Sequence, residues 1–423
     1  MTATTATLIR LLAWRPGGYA RDGARIFGWL LLRAVAQAAT VLMLARWLGA
    51  SGYGAFVAAL AVASFFTPLA GLGLGGVLLV RGARAPGQLP ALQARAASIW
   101  AASAAAFTVL ATAAMAWSLP AGQPLWALVA LAAAEVAAAS WVELQARSAQ
   151  ALHQPHRFGA IQAGLPLIRL FALAAIMSLA PPSPAAWMLA YAAASLLYVG
   201  GLALQHAAAQ PTPPHAPPAA NAITLLRDGL PFAGGAAALR LQAEFNKPVL
   251  AHLGYAQAGT FSVAQRVVEL ATLPLVALQE ALWPRIYASD DPSTRLRRSG
   301  AVLVLLALAS GALLAASAPL LPWLLGEGYA PAAQAMAALA LLPAVQMVRN
   351  LGNAWLIANV SNTALYAVYA ASAFAGVVLA LLLVPRFGVS GAVWALYGSE
   401  AAAVAAAWTV AWLCAAKSSG GRA

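Results

Sequence analysis

Apolar runs of about 20 residues, separated by short polar or glycine-rich turns, recur from residue 26 to residue 413. About 20 apolar residues in a helix cross about 30 Å of hydrocarbon. A helix also satisfies all of its own backbone N–H and C=O groups where no water can reach them. The chain is therefore expected to be an all-α, polytopic membrane protein. Composition closes off the soluble alternative: 62% of the residues are hydrophobic and 8% charged, too few to cover the surface of a soluble domain.

Twelve spans are predicted, near 26–44, 55–79, 98–118, 124–145, 158–180 and 185–206, then 228–250, 259–283, 299–318, 332–357, 361–384 and 391–413. Between the two sets runs A-A-A-Q-P-T-P-P-H-A-P-P-A-A-N, whose five prolines from Pro211 to Pro218 cannot continue a helix and favour an extended spacer. The expected organisation is a lead-in over 1–25, an N-lobe over 26–206 (spans 1–6), a proline-rich linker over 207–222, a C-lobe over 223–413 (spans 7–12) and a tail over 414–423. The motif L-G-x4-G-x-F occurs at Leu48–Phe56 and again at Leu253–Phe261. Leu44-Ala45 is echoed by Leu250-Ala251 and Pro68 by Pro274, each one residue out of step. An even number of spans per lobe makes such a duplication parallel, about an axis along the membrane normal.

The net charge of +13 invites a nucleic-acid reading, but its distribution gives another. With both termini cytoplasmic, the inner segments hold Arg10, Arg15, Arg21, Arg25, Arg81, Arg84, Arg95, Arg147, Arg157, Arg227, Arg285, Arg295, Arg297, Arg298, Lys417 and Arg422. Outer loops and outer span ends hold only Arg46, Lys247 and Arg386. That asymmetry is the positive-inside rule, and it removes the need for a nucleic-acid partner. No cleavable signal peptide is expected; Leu8, Ile9, Leu11, Leu12 and Trp14 could instead dip into the headgroups.

Several chemistries lack their residues. Neither Lys247 nor Lys417 follows the glycine of a Walker A loop, so no ATP site is expected. The single Cys414 rules out an internal disulfide and a cysteine-based metal centre. Gly71, Gly73 and Gly76 fit G-x-G-x-x-G but lie at the end of an apolar span, where close helix packing explains them. His153 and His156 read as a loop pair rather than a metal site. No cofactor is expected, and the short outer loops leave little room for a membrane glycan polymerase or ligase.

Charges inside the predicted spans carry the functional signal. Arg33, Arg169, Arg240, Arg266 and Arg349 lie there, as do Glu135, Glu244, Glu269 and Glu400. An arginine at a helix centre costs on the order of 3 kcal/mol unless it faces protein or water. Arg266 with Glu269 and Arg240 with Glu244 have the spacing to pair on one helix face, and Glu135 and Arg169 lie at similar depth in neighbouring spans. Arg33 and Arg349 have no acidic residue within a turn, which marks them as candidates for an anionic ligand. The four glutamates are the membrane carboxylates available for ion coupling or for structural pairing.

Further motifs carry a family resemblance. A-R-W-L-G-x3-Y-G-x-F at 45–56, G-L-G-L-G-G-V-L-L-V-R ending at Arg81, G-x4-G-T-F-S-V-A-Q-R-V-V-E-L at 254–270, W-P-R-I at 283–286, L-L-G-E-G-Y at 324–329 and V-P-R-F-G-V-S-G-A at 384–392 follow one another along the chain. In that order they resemble the bacterial polysaccharide-biosynthesis, or lipid-linked oligosaccharide, flippases (Wzx-type) of the multidrug/oligosaccharidyl-lipid/polysaccharide exporter superfamily. The resemblance implies two six-helix lobes around a central cavity in the bacterial inner membrane. It implies an undecaprenyl-diphosphate-linked glycan as substrate, flipped for O-antigen, exopolysaccharide or capsule synthesis, with membrane lipids and a glycan polymerase and export machinery as partners. The candidate diphosphate-binding residues are then Arg33, Arg240, Arg266 and Arg349. The chain departs from the family pattern in reading Glu244-Phe245-Asn246-Lys247 where relatives often carry an aspartate, and in having twelve spans where lipid II flippases typically carry fourteen. A multidrug exporter of the same superfamily is the alternative; it would carry lipophilic cations and favour a carboxylate-rich cavity.

Reporter fusions test the topology. Fusions after Ala416 and within 207–221 should report cytoplasm and fusions after Gly49 the outside; an outward-facing proline linker would overturn the span count.

Overall fold

A computed structural model describes residues 18–209, 221–287, 292–359 and 362–420. The expected lead-in up to residue 17, residues 210–220 of the proline linker and the last three residues lie outside the described residues. Every regular element among the described residues is helical. Helix α1 (Gly18–Ala70) carries the first two crossings in one 53-residue run broken at Gly49. Helix α2 (Leu74–Arg84) extends the second crossing past a turn at Gly73, and α3 (Leu89–Ser118) is the third. The fourth is composite: α4 (Leu125–Ala132), a π-helical turn (Ala133–Ala138) and α5 (Ala139–Ala151). Helices α6 (Pro155–Leu179) and α7 (Pro184–Ala209) complete the first half.

In the second half α8 (Ala222–Glu244) and α9 (Asn246–Leu253) make the seventh crossing and α10 (Tyr255–Tyr287) the eighth. Helix α11 (Pro292–Ser317) is the ninth. A short α12 (Leu320–Leu325) leads to α13 (Ala330–Ala338) and α14 (Leu342–Asn359), together the tenth. Helix α15 (Asn362–Gly420), 59 residues long, carries the last two and breaks at Gly388.

Among the described residues, seven stretches are long and apolar enough to cross a membrane, eight when the pair Glu327–Ala338 and Leu342–Leu356, bent by 43°, counts as one. The difference from the twelve expected has a physical origin. The stretches Phe27–Arg84 and Leu365–Leu413 have 58 and 49 residues, each long enough for two crossings of about 20 residues. The seventh and eighth crossings carry Arg240, Glu244, Lys247, Arg266 and Glu269, and that charge lowers their hydropathy.

The two copies of the repeated motif fold alike and meet. Gly49 and Gly254 take the positive φ that a residue with a side chain rarely adopts, 66° and 135°, and each starts the turn into the next helix. Five residues further on, Gly54 and Gly259 let the second limb of α1 and the start of α10 touch backbone to backbone. A Cβ on Gly54 would collide with the carbonyl of Tyr255, and one on Gly259 with the carbonyl of Ala50.

Around this contact lies the largest core cluster, drawn from both halves: Leu44, Phe56, Trp187, Phe261, Tyr329 and Val393 are all buried in it. Among the described residues, four hydrogen bonds join the halves at the same end. Arg46 Nη1 donates to the Leu324 carbonyl (3.1 Å), Tyr329 Oη to Ala45 (2.9 Å) and Tyr255 Oη to Pro120 (2.7 Å), and His252 Nε2 lies 2.7 Å from the Ser118 carbonyl.

At the opposite end the halves touch again. A Cβ on Gly73 would strike the Gly229 carbonyl, Phe232 covers Gly76, and Arg81 pairs with Asp228. Close packing thus accounts for Gly73 and Gly76. The outer faces of the bundle are apolar: Val109, Trp117, Phe171, Leu313, Trp323, Phe374 and Trp412 are exposed, as they must be to meet lipid.

Overpacking the Gly54 contact should cost about 1–3 kcal/mol. The Gly54→Leu protein in detergent should therefore melt below wild type. Gly234→Ala is the control: nothing lies within 4 Å of a Cβ there, and its melting temperature should stay at or slightly above that of wild type.

Candidate functional site

Each crossing near the middle of the bundle places its polar residues on one stripe. On α1 these are Arg33, Gln37 and Thr40, spaced four and three apart; on α5, Glu143 and Arg147; on α6, Gln162 and Arg169. On α8 and α9 the stripe is Arg240, Glu244 and Lys247, and on α10 it is Ser262, Arg266 and Glu269. Spacings of three and four put such residues on one helix face. These faces converge between the halves on a cavity of about 860 Å³, a size that holds a drug-sized ligand. Six cations and four carboxylates line it: Arg33, Arg147, Arg169, Arg240, Lys247 and Arg266 against Glu135, Glu143, Glu244 and Glu269.

Glu135 sits in the π-helical turn, whose wider winding frees carbonyls from the usual ladder. Neighbouring helices take up two of them: Thr67 Oγ1 donates to the Glu135 carbonyl (2.8 Å) and Arg169 Nη2 to that of Ala134 (3.3 Å). The Glu135 carboxylate accepts from Tyr191 Oη (2.7 Å) and lies 3.5 Å from Arg169. Arg169 also donates to Ser195 Oγ (2.9 Å), and its guanidinium carbon lies 3.8 Å from the Tyr191 ring centroid. Glu135 and Arg169 are held from several sides.

The seventh and eighth crossings form a second charge network. Arg266 bridges Glu269 (2.7 Å) and Glu244 (3.0 Å), and Glu244 also pairs with Lys247, which is 1% exposed. Gln265 Nε2 donates to Glu269 (2.9 Å). The spacing expectation that Arg240 pairs with Glu244 is thus not met. Lys247 and Arg266 already hold Glu244, and Arg240, an exposed side chain on the cavity wall, has no ion pair among the described residues.

Near the Arg81 end, Arg147 pairs with Glu143 (2.7 Å), and Glu143 accepts from Gln162 Nε2 (2.9 Å). Arg33 Nη1 donates to Gln162 Oε1 (2.8 Å), and Arg33 has no carboxylate partner among the described residues. Two guanidinium groups, Arg33 and Arg240, therefore face the cavity with no carboxylate in contact among the described residues.

Arg349 and Glu400 are elsewhere. Arg349 Nη1 lies 2.8 and 2.7 Å from the two Glu400 oxygens, and Gln346 donates to the same carboxylate (3.2 Å). They line a separate pocket of about 180 Å³ within the second half, which Glu269 also borders. Arg349 has no acidic residue within a turn, as its sequence surroundings indicate, yet it is paired: Glu400 lies 51 residues on in α15, beyond the reach of any rule based on one helix turn. The structure thus brings Arg33, Arg240, Arg266, Glu135, Glu244 and Glu269 to one cavity and sets Arg349 and Glu400 apart. Sequence reasoning missed Gln162, Glu143, Gln37, Thr40 and Tyr191 as cavity residues. Polar side chains repeating every three to four positions within an apolar run are the signal that would have found most of them.

No protein-family model matches the sequence, and no curated protein matches it. Solved structures do. A multidrug resistance MATE family transporter of the MOP superfamily, in an inward-facing conformation, superposes with a TM-score of 0.71 at 15% identity, covering 91% of this chain and 95% of that one. The lipid II flippase MurJ, inward closed, gives 0.74 at 10% identity over 91% and 87%. The MATE multidrug transporter DinF-BH gives 0.62 at 14% identity over 94% and 97%. The chain has the fold of these polytopic membrane transporters.

The pairing pattern separates arginines that hold the fold from those that do not. Arg349→Ala leaves Glu400 buried and unpaired, a loss of about 3–5 kcal/mol, and the protein should fall in membrane abundance and melting temperature. Arg33→Ala leaves no such orphan and should be as abundant and as stable as wild type.

Proposed function

We propose that the chain is a flippase that moves undecaprenyl-diphosphate-linked oligosaccharide repeat units across the bacterial inner membrane, for O-antigen, exopolysaccharide or capsule synthesis. The observation that carries this reading is the charge of the cavity, where Arg33 and Arg240 remain without a carboxylate once the other cations are paired. A diphosphate cannot cross hydrocarbon by itself, and the guanidinium fork meets phosphate oxygens in a bidentate way. Arg266, already shared between two glutamates, would reach the anion only by exchanging partners, and Arg349 serves the packing of the second half. The lipid II flippase among the similar folds favours a lipid-linked substrate.

The rival substrate is a lipophilic cation, as the multidrug transporters of similar fold suggest. An excess of positive charge in the cavity disfavours it. Transport without covalent chemistry fits both readings, so the protein acts as a transporter and not as an enzyme. With the basic loops cytoplasmic, the Arg81 end faces the cytoplasm and receives the headgroup, and the Gly49 end faces outward. Rocking of the two halves would then give alternating access. Glu135, Glu244, Glu269 and Glu400 are the carboxylates through which a proton or sodium gradient could couple. A glycan polymerase and the export machinery would take up the flipped product.

Surface glycan in a deletion strain, normalised to protein level, tests the reading. Arg33→Ala and Arg240→Ala should each abolish or severely reduce export at normal abundance. Arg33→Lys, which keeps the charge but loses the fork, should fall between them and wild type. Wild-type glycan with Arg33→Ala would sink the proposal.

A further inference from the structure

Four of the five arginines inside the described crossings have a side-chain partner, of two kinds. Arg169, Arg266 and Arg349 each lie against a carboxylate. Arg33 lies against an amide, and that amide lies in turn against a carboxylate. Gln162 Oε1 accepts from Arg33 Nη1 at 2.8 Å, and Gln162 Nε2 donates to Glu143 Oε2 at 2.9 Å. The chemistry fixes the orientation of the amide, because its oxygen suits only the guanidinium and its NH₂ only the carboxylate. Three helices contribute: α1 the arginine, α6 the glutamine and α5 the glutamate. Glu143 is meanwhile held by Arg147 at 2.7 Å, and Arg147 also donates to Gln150 (3.0 Å).

We propose that Gln162 is the residue that keeps Arg33 available to a diphosphate, standing between Arg33 and Glu143 as an uncharged spacer. The inference rests on the flippase reading and deepens it by naming a positioning residue that acts through Arg33. A guanidinium has five N–H donors, and the amide engages one nitrogen of Arg33 while supplying no countercharge. The guanidinium is fixed in direction yet keeps its full charge. A carboxylate at position 162 would fix it equally well and neutralise it, as Glu400 does for Arg349. The same spacer keeps Glu143 two hydrogen bonds away from Arg33 and leaves it to Arg147. The arrangement thus separates holding an arginine from neutralising it.

Exchanging the two side chains provides a test at constant charge. The double variant Gln162→Glu with Glu143→Gln has the same composition and net charge as wild type but places the carboxylate against Arg33. Binding of farnesyl diphosphate to the purified full-length protein would be measured by calorimetry, with farnesol as the uncharged control and inorganic pyrophosphate to separate headgroup from lipid. The exchanged protein should bind farnesyl diphosphate at least about tenfold more weakly than wild type, close to Arg33→Ala, with farnesol binding unchanged. Glu143→Gln alone should bind at least as tightly as wild type.

If the exchanged protein does not fold, Gln162→Glu alone carries the same expectation at neutral pH. Weak binding by Arg33→Ala with wild-type binding by the exchanged protein would overturn the role of Gln162 and leave the flippase reading standing. Wild-type binding by Arg33→Ala would overturn both.

Discussion

An arginine inside a membrane protein must either find an opposite charge or face water, because hydrocarbon solvates neither the guanidinium nor its five donors. The cavity of this protein is built around that requirement. Arg169 is met by Glu135, a serine, a carbonyl and the face of Tyr191, and Arg266 by two glutamates. Arg349 is met by Glu400 in a pocket of its own. These pairings tie helices together at mid-membrane, where the hydrophobic effect cannot, since lipid is as apolar as leucine. Against that background Arg33 and Arg240 stand out, because the same sequence that pairs Arg169, Arg266 and Arg349 leaves these two without a carboxylate in contact among the described residues.

Space for the cavity comes from where the halves do and do not touch. The duplicated motif places a glycine of each copy at one crossing point, so that α1 and α10 meet without side chains between them. Bulky residues of both halves then fill the volume around that point. At the other end Gly73 and Gly229 make a second backbone contact. Between these two points the helices carry their polar stripes, and the gap stays open. The π-helical turn adjusts the fourth crossing there, so that Glu135 meets Tyr191 and Arg169 while Thr67 and Arg169 satisfy the carbonyls it releases.

Much of this was legible in the residues. The apolar runs pointed to an all-helical, polytopic membrane protein, and charge spacing found the Arg266–Glu269 pair. Equal depth in neighbouring spans pointed to Glu135 with Arg169. What stayed hidden required contacts between distant helices. Nothing within a turn of Arg349 announces Glu400, and the claim of Arg266 on Glu244 is visible only when α8 and α10 are assembled; Lys247, three residues from Glu244, had the spacing to show its own. Gln162 escaped for a different reason. A search for intramembrane charge passes over a neutral amide, although the amide decides what its charged neighbours can do.

The hydrogen bonds at the Gly49 end carry a thermodynamic implication. Four of them join the halves there, each to a backbone carbonyl and each worth about 0.5–1.5 kcal/mol net. Their sum, about 2–6 kcal/mol, is comparable with the roughly 5.5 kcal/mol that takes a two-state population from 1:99 to 99:1. In the proposed alternating-access cycle, one ligand with a roughly 10⁴-fold preference for the open state would offset contacts of that strength. Such a ligand would open the door from either side alike. Net movement in one direction would then be imposed by whatever keeps the ligand scarce on the far side.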